Sequence, residues 1–469
     1  MVRMPVLAPL LMAATALGAT PALAADDDGW SSFRELYQAL VETDTTLSNG
    51  SCTKAAKLAA NHLAEAGMAR ENLHLITVPE HPEEGSLVAV YPGSDPDGGA
   101  ILLLAHLDVV EAKPEDWERD PFTLIEEDGW FYARGAADAK SLAAVWTDTL
   151  ARFARDRHTP GRTVKVALTC GEETNGAYNG AEWLAANRRD LIDADFALNE
   201  GGGGFATDDG LVLTQRVQVG EKIFANYELE VRNAGGHSSA PRPDNAIYEL
   251  ASALKAIEAY DFPVEFSDVT RASLQQRAES EKGELGAAIS ALLADPGDAD
   301  ADAVVSADAN LRSNTRTTCV ATMLEAGHAR NALPQRATAN VNCRIFPGHP
   351  IEEIRKALVT AIGDERVSVK TLDPIRPAPP PPPLSDDVIE PMKEMVGEHF
   401  PWASFGVTMS NGYTDSTFLT AAGIPAYGTP GPWSTGEPSG VHGLNERIRV
   451  DALKQGRAFL YDLIRAYTD

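Results

Sequence analysis

Positive charge is scarce: 40 lysines and arginines stand against 68 aspartates and glutamates, a formal net charge of −28 at pH 7. A nucleic-acid binder needs a basic footprint, so that class of partner is excluded. Cysteine is scarce too, with Cys52, Cys170, Cys319 and Cys343 the only four in 469 residues, too few for a disulfide-built scaffold. Cys319 and Cys343 lie on neighbouring segments and could pair in an oxidising compartment, whereas Cys170 ends an apolar strand and reads as a buried thiol; connectivity stays open. Long apolar runs are missing beyond the N-terminus, so no stable membrane association is expected. The N-terminus itself carries Arg3, an apolar stretch from Val6 to Leu17 and Ala22-Leu23-Ala24 before Ala25-Asp26. That pattern reads as a secretory signal over 1–24 with cleavage after Ala24, and predicts an exported protein, periplasmic in a Gram-negative source.

What is present is a series of acids and histidines at the ends of apolar segments. Ile101-Leu102-Leu103-Leu104 reads as a buried strand that delivers His106 at its C-terminal end, where open α/β sheets place their chemistry. Asp138 sits among the small residues of Gly135-Ala136-Ala137-Asp138-Ala139-Lys140, which let the backbone turn closely around whatever it holds. The strand Thr163 to Thr169 ends in Gly171-Glu172-Glu173, where neighbouring side chains point in opposing directions if the chain stays extended. Glu200 precedes four glycines, and His442 stands in Gly440-Val441-His442-Gly443. Singly, each reads as a solvated acid or a hydrogen-bonded histidine. Their repetition on successive βα units predicts ligands enough for two metal ions.

In order and spacing, these segments resemble the M20 family of metallopeptidases. The match runs through His106-Leu107-Asp108-Val109-Val110, Trp117 with Asp120-Pro121-Phe122, Arg134-Gly135 with Asp138-Ala139-Lys140, Gly171-Glu172-Glu173, Asn199-Glu200-Gly201-Gly202 and Val441-His442-Gly443. The resemblance implies an α/β fold: a di-zinc exopeptidase-type catalytic domain, with a mixed central sheet flanked by helices, over 25–217 and 377–469. An inserted α+β, ferredoxin-like lid and dimerisation domain would span 218–376. It further implies that Asp138 bridges two zinc ions, with Co2+ or Mn2+ able to replace them; His106 and Glu200 complete one site, Glu173 and His442 the other. Glu172 would be the general base, and Asp108 would accept the second N–H of the His106 imidazole. His237, in Gly235-Gly236-His237-Ser238-Ser239, would reach a partner subunit's site in a homodimer; Asn331, Arg344 and Arg376 match substrate-binding positions of the lid, and arginine's planar fork suits a carboxylate. Glutamate at 200 is typical of the desuccinylase, aminoacylase and carboxypeptidase S side of the family. Ala139 departs from the Asp or Met usual there.

Other segments read locally. Helical periodicity predicts helices over 245–260, 285–293 and 450–467. The run Asp295 to Asp302 reads as an acidic solvated turn, lacking the glycine and terminal glutamate of a calcium loop. Pro377 to Pro383 should be extended polyproline II, a stiff strap between lid and catalytic domain rather than an SH3-type ligand. The expected activity is hydrolysis of an amide bond beside a free carboxylate, on a peptide or N-acyl-amino-acid substrate. A dipeptidase that requires a free amine is the alternative, and a catalytically inactive binding protein on the same fold a more distant one.

Overall fold

A computed structural model describes residues 29–174, 178–372 and 374–469; the expected export signal lies outside the described residues. The fold is mixed α/β, as expected. Strand Ala100–His106 is buried along almost its whole length. Ile101, Leu103 and Ala105 join one hydrophobic cluster and Leu102 and Leu104 the other, as the alternation of side chains across a strand requires. Helices Trp30–Val41, Cys52–Glu65, Lys140–Asp156 and Val450–Thr468 supply the first cluster, while Gly180–Asn187 and Ser416–Ala421 supply the second.

Across the ten-stranded sheet the order is Leu73–Val78, His81–Tyr91, Thr163–Thr169, Ala100–His106, Phe196–Asn199, Ala426–Gly428, Val212–Glu221, Gly203–Ala206 and Trp433–Ser434, with Ser404–Ser410 also pairing with Val212–Glu221. Thr163–Thr169, Ala100–His106, Phe196–Asn199 and Ala426–Gly428 run parallel. His106 pairs with Thr169 in register, so the chain after each of these strands leaves from the same edge. That edge collects His106, the Glu172-Glu173 turn and Glu200.

A second, antiparallel sheet has the order Thr318–Ala326, Arg336–Ile345, Ile223–Arg232, Val367–Thr371. Helices Ala246–Glu258 and Ile351–Ile362 join it in a βαββαβ sequence, the ferredoxin-like arrangement, around a core of its own that includes Tyr227, Leu229, Leu250, Val341 and Leu358. Four further helices, Asp268–Ser280, Glu284–Ala294, Ala299–Val305 and Ala309–Asn314, share a separate small core of Leu274, Ile289, Leu292 and Val305. They dock on the main sheet, where Gln276 Nε2 donates to Phe405 O at 2.7 Å.

Two local expectations need correction. Cys170 is no free thiol: it is disulfide-bonded to Cys52, as Cys319 is to Cys343. The partner comes from the first turn of a helix 118 positions earlier, a proximity created only by packing. Only the start of the acidic run is a turn. Asp298 accepts from Asp300 N and Ala301 N and so caps a helix that takes in Asp300 and Asp302; Asp302 pairs with the buried Arg316. The proline segment has no regular hydrogen-bonded structure, and the last helix runs Val450–Thr468.

Candidate metal centre

Asp138 stands between the two histidines. Its Oδ1 lies 3.1 Å from His106 Nε2 and its Oδ2 3.2 Å from His442 Nε2. Glu200 Oε1 is 3.6 Å from His106 Nε2, and Glu173 Oε1 is 2.8 Å from His442 Nε2. Two trios result, His106 with Asp138 and Glu200, and Asp138 with Glu173 and His442; within each, one ligand atom per residue lies within 4.8 Å of the others. His106, Glu172 and Glu173 form a third such group, which sets Glu172 beside the pair of trios.

Local structure explains how they are held. Glu446 is buried and its carboxylate is fully used: Oε2 accepts from Arg134 Nη1 at 2.7 Å and Gly135 N at 3.0 Å, and Oε1 from Ala137 N at 2.9 Å and Asp138 N at 3.0 Å. Arg134 Nη2 also donates to Gly443 O at 2.8 Å. One ion pair therefore ties the Asp138 turn to the loop that carries His442, whose own φ of 59° is uncommon for a residue with a side chain. Gly201, Gly202 and Gly203 follow Glu200 with φ of 97°, 79° and 84°, left-handed conformations that favour glycine.

Asp108 acts differently from expectation. His106 Nδ1 meets the backbone carbonyl of Asp108 at 2.9 Å, while the Asp108 carboxylate stays 3.8 Å away. That carboxylate instead accepts from Glu173 N at 2.9 Å and Glu172 N at 3.3 Å, because two backbone amides at the turn need an acceptor. His106 is oriented all the same, with Nε2 free to face Asp138. Asp415, in the loop Asn411 to Ser416, is buried and accepts from Asn179 Nδ2 at 2.6 Å and Thr169 Oγ1 at 3.1 Å. Glu221, also buried, accepts from Thr414 and Thr417. Neither its role nor that of Glu446 is read from sequence, although Glu446 stands only four residues after His442.

So many buried carboxylates repel one another. Burial pushes Glu173 up to about 7, against the pull of His106. Burial and the charge of Glu200 raise Glu172 well above the carboxylate range, and burial raises Asp415 to about 7 and Glu221 to about 7. Asp138 is the exception: burial opposes its ionisation, but hydrogen bonds from His106 and His442 hold it far below the ordinary value. His442 is lifted to about 9, chiefly by its bond to Asp138. A crowd of imidazole and carboxylate ligands short of positive charge fits divalent cations, and nitrogen with oxygen donors suits zinc.

The four substrate-side residues fall into two groups. Arg344 and Arg376 come together over the Phe224 ring, 5.3 Å and 4.3 Å from its centroid, and Arg376 also lies 5.2 Å from that of Tyr413. Burial raises the Tyr413 hydroxyl strongly, with Asp415 and Glu172 adding to the effect, and its ring meets that of Phe224 edge-on at 5.9 Å between centroids. His237 and Asn331 lie elsewhere. His237 pairs with Ala332 in a two-stranded ribbon, Asn331 O accepts from Ser238 N at 3.0 Å, and both residues are exposed. Among the described residues, neither makes a hydrogen bond or ion pair with the acidic cluster.

A family model described as peptidase family M20/M25/M40 matches residues 102–466. The chain belongs to the M20 family. It is 30% identical over 400 residues to the human N-fatty-acyl-amino acid synthase/hydrolase PM20D1, covering 82% of this chain and 77% of that protein. Among solved structures, the M20 metallo-carboxypeptidase Sso-CP2 of Sulfolobus solfataricus aligns with a TM-score of 0.68 at 20% identity, over 94% of this chain and 99% of the other. Bacillus subtilis YXEP, described as a dinuclear metal binding peptidase, aligns at 0.57 and 13% identity over 93% and 97%. This M20 protein is thus a hydrolase of a metal-dependent peptidase and amidohydrolase family.

Proposed function

We propose that the protein is an exported di-zinc hydrolase that cleaves an amide or peptide bond next to a free carboxylate, as a carboxypeptidase or N-acyl-amino-acid amidohydrolase. The observation that carries this reading is the placement of Asp138, with one carboxylate oxygen facing each of two imidazole–carboxylate trios. His106, Asp138 and Glu200 would hold one ion; Asp138, Glu173 and His442 the other. Bound there, zinc supplies a Lewis acid for the scissile carbonyl and lowers the pKa of water.

This chain's own side chains do the rest. Glu172 takes the proton of the attacking water and passes it to the departing amine, two steps that need a pKa near neutrality; its burial and the nearby Glu200 push it upward in that direction. Asp108 holds the backbone of the Glu172-Glu173 turn and fixes the His106 ring. Arg344 and Arg376 receive the free carboxylate, the aromatic rings beneath them keeping the guanidinium planes apart from bulk water.

Residues 218–376 act as a lid through which two copies pair, and 25–217 with 377–469 as the catalytic domain. Support for pairing comes from the outer strand Thr318–Ala326, which exposes Val320, Met323 and Leu324 along an edge without a neighbour; such an apolar edge is ordinarily covered. In a dimer, His237 and Asn331 would serve the partner's centre, with His237 donating to the developing oxyanion. Among the described residues no helix is long and apolar enough to cross a membrane.

The test is hydrolysis by the zinc-loaded protein of N-acyl-amino acids, free dipeptides and C-terminally amidated dipeptides, with Glu172→Gln as the blank. Cleavage of acylated substrates that needs the free carboxylate and falls by about 10²–10⁴ in the variant is expected. Turnover restricted to free dipeptides would refute the amidohydrolase reading in favour of a dipeptidase, and loss-free turnover in Glu172→Gln would remove the assigned base.

A further inference from the structure

The disulfide between Cys52 and Cys170 lies beside the residue that orients the metal centre. Cys170 follows the strand Thr163–Thr169 and precedes Glu172 by two residues; Cys52 opens the helix Cys52–Glu65. Both are buried, and the sulfur of each lies within 4.8 Å of a carboxylate oxygen of Asp108. That carboxylate accepts from Glu172 N and Glu173 N, while the Asp108 carbonyl meets His106 Nδ1. One residue therefore orients a candidate ligand histidine and also the turn that carries the proposed base, and the disulfide stands next to it.

The chain before Cys52 grips Asp108 from both neighbours. Thr45 Oγ1 donates to Leu107 O at 2.7 Å, and Thr45 O accepts from Val109 N at 3.4 Å. Thr45 is in turn tied to Cys52 by a short loop, in which Ser51 N donates to Asp44 O at 2.8 Å and Gly50 N to Thr46 O at 2.9 Å. On the other side of the disulfide, Leu107 N donates to Thr169 O at 2.7 Å, next to Cys170. A ring results, from Thr45 to Cys52, across the sulfurs to Cys170 and Thr169, and back through Leu107; Asp108 is held between its two ends. A dithiol reductant opens this ring by exchange. The protein's S–S bond breaks, each cysteine sulfur gains a hydrogen, and the reductant closes an S–S bond of its own. The two thiols must then move to non-bonded separation in a packed site, and each is a weak donor able to compete with Glu172 N and Glu173 N for the Asp108 carboxylate. Resting on the metal-centre assignment above, we infer that the Cys52–Cys170 disulfide is a positioning element of that centre, which needs the oxidised pair to hold Asp108 and, through it, His106 and the Glu172-Glu173 turn.

The test uses the Cys319→Ala/Cys343→Ala protein, whose remaining cysteines are Cys52 and Cys170, so that reduction acts on one link. It is prepared oxidised and, after dithiothreitol, reduced; both forms are desalted and loaded with zinc under anaerobic conditions. At a temperature where circular dichroism shows both folded, kcat and KM are measured on the N-acyl-amino acids and dipeptides named above, and zinc affinity by chelator competition. Loss of a merely stabilising link would lower the melting temperature and leave these values, per folded molecule, unchanged. A positioning link should lower kcat, zinc affinity or both by about 10–100-fold, reversed by reoxidation with oxidised glutathione. KM should stay as it was, because Arg344 and Arg376 lie outside the ring. Equal kcat and zinc affinity in the two forms, or a difference confined to KM, would overturn the inference. If the reduced form does not fold, Thr45→Val decides, since it cuts the ring at Leu107 O with the disulfide intact; wild-type kcat and zinc affinity there would overturn the inference equally. Disulfide-dependent zinc affinity with no hydrolysis of any substrate would uphold it and refute the hydrolase reading instead.

Discussion

Replacing Glu446 with glutamine should loosen the metal centre without touching a single candidate ligand. The carboxylate serves four donors in two pairs, Arg134 with Gly135 on one oxygen and Ala137 with Asp138 on the other. A carboxamide offers its oxygen to one pair only and turns an N–H₂ group toward the second, so two charge-assisted bonds are lost, at about 1.5–3 kcal/mol each. If the oxygen turns to the backbone amides, the Arg134 guanidinium, 3% exposed, loses its counter-charge. Breaking a buried pair this way costs about 3–5 kcal/mol, so both routes converge on about 4 kcal/mol of stability. The more specific effect is on metal affinity. Asp138 N hangs directly from Glu446, and Arg134 anchors Gly443 beside His442, so ligands of both trios lose their support, and a drop of about 10–100-fold is expected. Chelator competition with zinc, read beside thermal unfolding, measures both. Asp148→Asn is the control. It breaks another buried pair, Asp148 with Arg457 at 2.7 Å, two turns along the Lys140–Asp156 helix from the Asp138 loop. Similar loss of stability with unchanged zinc affinity is expected there. Unchanged zinc affinity in Glu446→Gln, or an equal fall in both variants, would refute the idea that this ion pair positions the ligands.

Met323→Lys places a charge on the exposed outer strand and should convert a dimer to a monomer by light scattering; a variant whose mass and turnover both stay at wild-type values would count against pairing there. Cys52→Ser with Cys170→Ser opens a link across 118 positions and should cost about 5 kcal/mol on the chain-entropy account, measured by urea unfolding under non-reducing conditions. Lys222 is buried and lowered to about 7, chiefly by burial, while its unfolded value is 10.5. Between those values the unfolded chain binds more protons, so this group adds stability as pH rises from 7 to 10.5, by up to about 5 kcal/mol. The difference in melting temperature between the native protein and Lys222→Met should therefore change steadily over that interval, and a constant difference would exclude the effect.

The sequence pointed to this cluster because its candidate ligands follow a rule of position. His106 and Glu200 each close a parallel strand, and Glu172 and Glu173 follow a third, so buried apolar runs point to them from a distance of a few residues. What supports the ligands obeys no such rule. Glu446 finds Ala137 and Asp138 more than 300 positions away, and three of its four partner atoms are backbone amides, which any residue type but proline supplies. For the same reason Asp108, correctly placed beside His106, was assigned to the wrong hydrogen bond: the imidazole takes its carbonyl because the turn at Glu172 takes its carboxylate. Cys52 and Cys170 belong to elements whose proximity depends on how a helix packs on the sheet. In the acidic run, a capping aspartate and a solvated one look identical until the helix after Asp298 is in place.

The same distribution of charge bears on how the centre works. Net charge alone would disfavour an anionic substrate, yet Arg344 and Arg376 both lie over the Phe224 ring, so a local pair of cations can attract a carboxylate against the global field. The acids are also coupled to each other. Glu172 is raised by burial and then by Glu200; under the proposed assignment Glu200 is a metal ligand, and a cation there cancels that second contribution. Metal loading would then lower the Glu172 carboxyl from its raised value, the direction that helps a residue that must both take and return a proton. Under the proposed assignment, burial and the cations act on Glu172 in opposite directions, and both act at the one edge of a buried sheet that collects Glu172 and the candidate ligands.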